Sequence, residues 1–367
     1  MKSKVLVFMP SIEGGGVEKN FFLVCNYLVR KLSSLKVITI SKGFKKKFDK
    51  SVTLITPSSN VWDKFSRRIK YLIAIFLLIK EIIKDKNIIV FSFQANIYCI
   101  IVCKLLSVKV ITRSNTAPIG WSNNIVKRYI FKKVLNLSDE VIVNSIQFKN
   151  DLKKQLNVNS KCIYNPLNRK EIIKKSKQKS KKIFSFSKKL KILNIGRFTE
   201  QKDQLTFLKS LNNLKNKIDF EACIIGRGVL KKKLQNYISQ NNLGNFVKII
   251  DFVKNPYPLI KQSNLFILTS KFEGLPNVLL ESLALKKFVI SSNCHTGPKE
   301  ILLNGRGGLL FEVGNHKQLT KKIIFYFFNK KGCKKMLNRS FKSLNRFDYK
   351  TNLIKYHKLV INYSKLH

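Results

Sequence analysis

Ile192-Leu193-Asn194-Ile195-Gly196-Arg197-Phe198-Thr199-Glu200-Gln201-Lys202-Asp203 decides the fold. A short apolar run reads as a buried strand, and the loop after it leads into a helical pattern. The chain has already played this figure once. Residues 5–9, 37–40, 88–91, 109–111 and 141–143 read as strands with helical stretches between most of them. From 192 the alternation starts again, through strands at 222–225, 247–250, 265–268 and 288–291. Strands alternating with helices predict a parallel sheet, so two rounds predict two doubly wound α/β domains in series. We place the first domain at 1–166, a Lys-rich interdomain link at 167–189, the second domain at 190–345 and a C-terminal helical segment at 346–367. Ligands of open parallel sheets bind outside the carboxyl ends of the strands, so two such domains facing each other are expected to hold a cleft lined by those loops.

Composition bounds the rest. A chain of 367 residues with 44% hydrophobic content can bury two ordinary cores. The 71 basic residues against 20 acidic ones give a formal net charge of +51. Such a surface is drawn to anionic lipid headgroups or polyanions, although a Lys-, Ile- and Asn-rich bias can also be compositional. No zinc-finger spacing, aromatic RNA-binding motif or helix-turn-helix appears, which argues against specific nucleic-acid binding. The seven cysteines are odd in number and scattered, and read as reduced core thiols. The apolar run 5–9 ends at Pro10 and Glu13, too short for a signal peptide, so a cytosolic location is expected. The longest apolar stretch, 71–79, falls short of the roughly 20 residues that span a bilayer. Its basic flanks suit either an ordinary domain helix or one lying on an anionic membrane, and we read the former.

Three segments carry candidate chemistry. After the first strand, Gly14, Gly15 and Gly16 let backbone approach a ligand or simply make a tight turn. Their spacing is neither that of a dinucleotide fingerprint nor that of a P-loop. In the opening segment, Arg197 and Lys202 can reach one point from a single loop and neutralise charge on a diphosphate leaving group. Absence of an Asp-x-Asp pair fits an expectation of no metal. In Glu273-Gly274-Leu275-Pro276-Asn277-Val278-Leu279-Leu280-Glu281, one carboxylate precedes a helix start and the other lies inside it, with Pro276 suited to the first helical position. First-turn amides and the helix dipole suit a diphosphate, and the two glutamates suit neutral hydroxyls on either side of it. Gly226 and Val253 follow further strands, where backbone can lie near a flat base. His295 reads as a solvated loop residue, and with no histidine before it a Ser-His-Asp or Cys-His device lacks partners.

Together these segments resemble the retaining glycosyltransferases of family 4, which have the GT-B fold of two facing Rossmann-like domains. The likeness spans nearly the whole chain: a Gly-rich turn after the first strand, Gly196-Arg197 with Lys202 at the opening of the second domain, and the two-glutamate segment. By that resemblance Glu273 contacts the transferred sugar and Glu281 the ribose hydroxyls. Arg197, Lys202 and the amides of Asn277 and Val278 hold the diphosphate, with Gly15, Gly16 and Gly274 close by, while backbone around Gly226 and Val253 holds the base. The 296–302 segment and the Arg113-Ser114-Asn115 turn resemble the branch that adds hexoses or N-acetylhexosamines to lipid-linked oligosaccharides or surface polysaccharides, lipopolysaccharide among them. Many relatives carry a first-domain histidine near the reacting sugar. This chain has none there, and Arg113, Ser114 or Asn115 is expected on that acceptor side.

The resemblance therefore implies metal-independent, retaining transfer from a UDP-sugar, as co-substrate rather than cofactor. The acceptor is a saccharide or a polyprenyl-diphosphate-linked saccharide, reached from the inner face of the cytoplasmic membrane by a peripheral protein. Two rivals remain: a non-hydrolysing UDP-N-acetylglucosamine epimerase, and a catalytically silent, basic membrane-binding scaffold.

Overall fold

Short runs of Val, Ile, Leu and Phe, flanked by turns and buried on both sides, build two parallel sheets. The computed structural model describes residues 4–13, 15–115, 124–185 and 188–364. The chain divides into two compact units, Met1–Pro166 with Tyr349–His367, and Leu167–Asp348.

In the first unit the strands are β1 (Lys4–Phe8), β2 (Ser34–Ile38), β3 (Thr53–Ile55), β4 (Ile89–Ser92), β5 (Val110–Arg113), β6 (Glu140–Val143) and β7 (Lys161–Cys162). The helices between them are α1 (Gly16–Leu28), α2 (Arg67–Lys84), α3 (Asn96–Leu105), α4 (Ile125–Asn136) and α5 (Ile146–Leu156). The strands pair in parallel in the order β3-β2-β1-β4-β5-β6-β7. The order reverses between β1 and β4, which is the switch point where such sheets open a crevice. Alternate strand residues feed two cores. Leu6, Phe8 and Val90 pack under α2 to α5, and Val5, Val7 and Phe91 pack under α1 on the other face.

The second unit begins with α6 (Arg169–Ser176) and continues with β8 (Leu190–Ile195), α7 (Gln204–Asn212), β9 (Phe220–Gly226), α8 (Lys231–Gln240), β10 (Val247–Asp251), α9 (Tyr257–Gln262), β11 (Leu265–Leu268), α10 (Asn277–Ala284), β12 (Phe288–Ser292), α11 (Pro298–Ile301), β13 (Leu309–Phe311), α12 (His316–Phe328) and α13 (Lys330–Ser343). Its sheet runs β10-β9-β8-β11-β12-β13, again parallel, with the reversal between β8 and β11. The chain then returns to the first unit as α14 (Tyr349–Ser364), whose Leu353, Tyr356 and Val360 join the core under α1.

The ten strands read from sequence are present; β3, β7 and β13, at two or three residues each, are too short to show a period. One expectation needs correction. The segment read as a link carries α6, anchored by its Asn168 cap and by Ile172 inside the second unit. The final segment is helical as expected, and its apolar face completes the first unit's core. Among the described residues no helix is long and apolar enough to cross a membrane.

Candidate functional site

The switch point of the second sheet brings two of the sequence motifs together. The loop after β8 carries Arg197 and Lys202, and the loop after β11 carries Glu273. Asp203 ends the first loop in a left-handed conformation (φ 46°) and caps α7, accepting from the Thr206 amide at 3.3 Å. The loop can lie flat on β9 because Gly226 has no side chain. A Cβ there would sit 1.9 Å from the Gly196 carbonyl oxygen and 2.8 Å from the Phe198 ring. Gly226, expected beside a base, is thus required first by the seating of the Arg197 loop.

The two loops are stitched along their length. The Lys271 amide donates to the Gln201 carbonyl at 2.8 Å, and Thr269 Oγ1 donates to the Lys202 carbonyl at 2.9 Å. Gln201 Nε2 donates to the Phe272 carbonyl at 3.0 Å. At the end of this seam Lys202 Nζ meets Glu273 Oε1 at 2.5 Å, and Ser270 Oγ donates to the same oxygen at 2.6 Å. The pair is largely buried, with side-chain exposures of 17% and 9%. Desolvating two charges costs much of what their attraction returns, so such a pair is a poor device for stability. It does fix a cation and a carboxylate at one point. Arg197 is exposed at the same junction, with Nη2 at 3.5 Å from Gln201 Oε1.

Glu273 is held from behind as well. Thr296 Oγ1 donates to its carbonyl at 2.5 Å, and His295 pairs with Phe272 in an isolated parallel bridge. His295 is accordingly half-buried against the Glu273 loop, not a solvated loop residue. Gly297, at φ +80°, leaves room for Gly274: a Cβ there would meet the Gly274 carbonyl oxygen at 2.4 Å. Burial, and then the charge of Glu273, pushes the Cys294 thiol up to about 12, which keeps it protonated and unsuited to nucleophilic work.

The rest of the nonapeptide starts α10. Pro276 is its N-cap (φ −70°, ψ 106°), one position earlier than expected; the extended ψ turns the chain into the helix at Asn277. Asn277 and Val278 are half-buried in the first turn. Glu281 is buried on the second turn and accepts from the Tyr257 hydroxyl at 3.2 Å. Val253 is half-buried in the turn that follows β10. Among the described residues no group of three or more His, Cys, Asp or Glu is placed to hold a metal ion.

In the first unit, Gly14 lies outside the described residues. Gly15 is the N-cap of α1 and Gly16 its first residue. A Cβ at Gly15 would meet Glu18 Oε2 at 2.8 Å, and Glu18 Oε1 accepts from the Glu13 amide at 3.3 Å, so an acidic side chain folds back over this turn. The expected acceptor-side role of Arg113 is corrected. Its guanidinium is fully buried and spent: Nε donates to the Tyr356 hydroxyl at 2.8 Å, Nη2 to Asn165 Oδ1 at 2.7 Å and Nη1 to Asn115 Oδ1. Burial pushes the Tyr356 phenol up, so it stays neutral as an acceptor. Asn115 is occupied by this contact and by the Phe93 carbonyl at 3.3 Å, and Ser114 is buried.

Gln201, Ser270, Thr296 and Tyr257 escaped the sequence reading. Gln201, Thr296 and Tyr257 have partners 71, 23 and 24 positions away, so only the fold could reveal them, while Ser270, three residues before Glu273, is a common polar residue with no pattern to mark it.

With this geometry in view, residues 175–343 match the family described as glycosyl transferases group 1. A glycosyltransferase of Methanocaldococcus jannaschii, itself uncharacterised, is 45% identical over 111 residues, 30% of this chain and 27% of that protein. The N-acetylgalactosamine-N,N'-diacetylbacillosaminyl-diphospho-undecaprenol 4-alpha-N-acetylgalactosaminyltransferase of Campylobacter jejuni is 34% identical over 128 residues, 35% of this chain and 34% of that protein. The matched segments thus span about a third or less of these relatives' own lengths. Anabaena Alr3699/HepE, solved in complex with UDP, superposes with a TM-score of 0.78 at 16% identity, over 98% of this chain and 100% of that one. The chain is therefore a protein of the GT-B fold, two Rossmann-like units, whose residues 175–343 match the glycosyl transferases group 1.

Proposed function

We propose that this chain is a retaining, metal-independent glycosyltransferase of the family 4 type. It moves a hexose or N-acetylhexosamine from UDP to a hydroxyl of a saccharide on a polyprenyl-diphosphate carrier, in the building of a cell-surface glycan. The observation that carries the reading is the Lys202–Glu273 contact at the switch point of the second sheet. A cation for a leaving diphosphate and a carboxylate for a sugar hydroxyl stand at one place, on loops stitched by backbone. The group 1 family match over the same residues supports it. The UDP named with the HepE structure and the undecaprenol-linked substrate in the Campylobacter enzyme's name suggest donor and acceptor.

In this mechanism the glycosidic bond to the diphosphate breaks while Arg197, Lys202 and the first-turn amides of α10, at Asn277 and Val278, stabilise the charge that develops. The freed phosphate oxygen takes the acceptor's proton as the acceptor oxygen bonds to the same face of the sugar, so configuration is retained. Glu273 holds a hydroxyl of the transferred sugar through Oε2, and Glu281, steadied by Tyr257, holds the ribose. Gly274 lets the phosphates approach, and backbone at Gly226 and Val253 lies along the base. Positive charge from side chains takes the place that a metal ion fills elsewhere. Gly15, Gly16, Ser114 and Asn115 belong to the first unit's contribution, with the protein working on the inner face of the cytoplasmic membrane.

A panel of UDP- and GDP-sugars, assayed for nucleotide release with membrane lipid extract as acceptor, tests the reading. The expected result is acceptor-dependent UDP release and a product with the donor's anomeric configuration by NMR. Conversion of UDP-N-acetylglucosamine without any acceptor would point to an epimerase, and no release from any donor to a silent scaffold.

A further inference from the structure

The helix layer over one face of the first sheet is apolar on its inner side and on its outer side too. In α2 the inner stripe is Ala74, Leu78 and Ile82, packed on the sheet. On the opposite side stand Leu72, Phe76 and Ile83, exposed at 69%, 68% and 65%. Spacings of four and seven residues align them in one stripe along the helix. The first turn of α4 presents Ile125, at 83% exposure, with Val126 and Tyr129 also exposed. Between these helices α3 packs against both and adds exposed Tyr98 and Leu105, so the three share one outward surface. A helix of a water-facing layer ordinarily shows polar residues there, and a contiguous apolar patch marks a contact surface.

Its charges say what the contact is. Between Ile125 and Leu137 the chain carries Lys127, Arg128, Lys132 and Lys133 and no acid. The one acid of α2, Glu81, is buried beneath Lys36 and Lys84, at 2.8 and 2.7 Å, leaving Arg68 and Lys80 on the outer side. Apolar side chains rimmed by cations match a bilayer with anionic headgroups: the apolar groups enter the acyl boundary while Lys and Arg reach lipid phosphates. A second copy of the chain would set the same cations against each other. We propose that the outer face of α2, α3 and α4 is a monotopic docking surface for an anionic lipid bilayer. This locates the membrane partner of the function proposed above, and its test needs no donor sugar, so the two readings can fail separately.

The experiment is co-sedimentation of the full chain with vesicles of phosphatidylcholine alone and of equal parts phosphatidylcholine and phosphatidylglycerol. Three proteins are compared: wild type, Leu72→Ser/Phe76→Ser and Lys127→Glu/Arg128→Glu, each checked for folding by circular dichroism. All four positions are exposed, so the folded state should survive the changes. The expected result is binding to the anionic vesicles only, weakened about tenfold or more by either pair. The Ser pair is decisive because it leaves the net charge of +51 untouched. Binding that survives the Ser pair, binding to neutral vesicles alike, or no binding at all would overturn the proposal. So would a dimer in sedimentation velocity that the Ser pair dissolves while vesicle binding is absent.

Discussion

The two sheets share a topology, and their switch points hold different chemistry. Between β1 and β4 of the first unit the loops are tied by a neutral bond, the Ser11 amide donating to Gln94 Oε1 at 2.9 Å. Between β8 and β11 of the second the tie is Lys202 to Glu273, a charged pair mostly out of water. A short way along the first sheet, Arg113 ends β5 and turns inward to Tyr356 and Asn165, while Arg197, two residues beyond β8, stays exposed. Both units place an arginine at or just past the carboxyl end of a strand. In the proposed function the exposed one carries chemistry, while the inward one holds the core.

The sharpest way to break this contrast is to remove the outward charges. Arg197→Ala or Lys202→Ala should each cut turnover by roughly a hundredfold or more in a UDP-release assay, since each removes charge stabilisation from the leaving group. A double variant with near wild-type transfer would end the mechanism. Arg113→Ala should act on stability instead. It removes the donor to the buried Tyr356 hydroxyl and to Asn165 Oδ1, at a cost of roughly 2 kcal/mol or more in urea unfolding. UDP affinity of the protein that remains folded should hold. If Arg113→Ala lowers kcat at unchanged stability, its assignment to the core is mistaken.

Tyr257→Phe sharpens the picture further. It deletes the hydrogen bond to Glu281 at a cost of about 1 kcal/mol, so KM for the donor should rise severalfold with kcat little changed. The smallest effect concerns Cys294. Its thiol is raised from an ordinary value of 9.0 to about 12, so the unfolded chain loses that proton first as pH rises. The resulting stability is fully present below pH 9 and is lost as pH climbs toward 12. Cys294→Ala should make the alkaline fall in melting temperature shallower, and an unchanged slope would place the thiol outside the coupling.

Much of this was legible in the chain. The β8 and β11 runs announce themselves by composition, and the Arg197, Lys202 and Glu273 motifs follow them in sequence, so placing them at strand ends required only the parallel-sheet rule. Charged residues at a strand's end look the same in one dimension whichever way they turn, so Arg113 was misread as acceptor-facing. Its partner Tyr356 lies 243 positions away, on the C-terminal helix, and no sequence pattern links the two. The segment carrying α6 misled for a related reason: its lysines spell a solvated linker, while the few apolar residues among them, Ile172, Ile183 and Phe184, are buried. Gln201 and Tyr257 had no signal to find, because a single polar residue acquires meaning only from its partner.

The central claim is that Lys202 and Glu273 mark a nucleotide site built within the second unit. The most direct test is calorimetric titration of UDP into the wild type and into Lys202→Ala. The account predicts saturable binding to the wild type and an affinity at least about tenfold weaker in the variant, as loss of a charge-assisted phosphate contact requires. Equal affinity in the two proteins would contradict it.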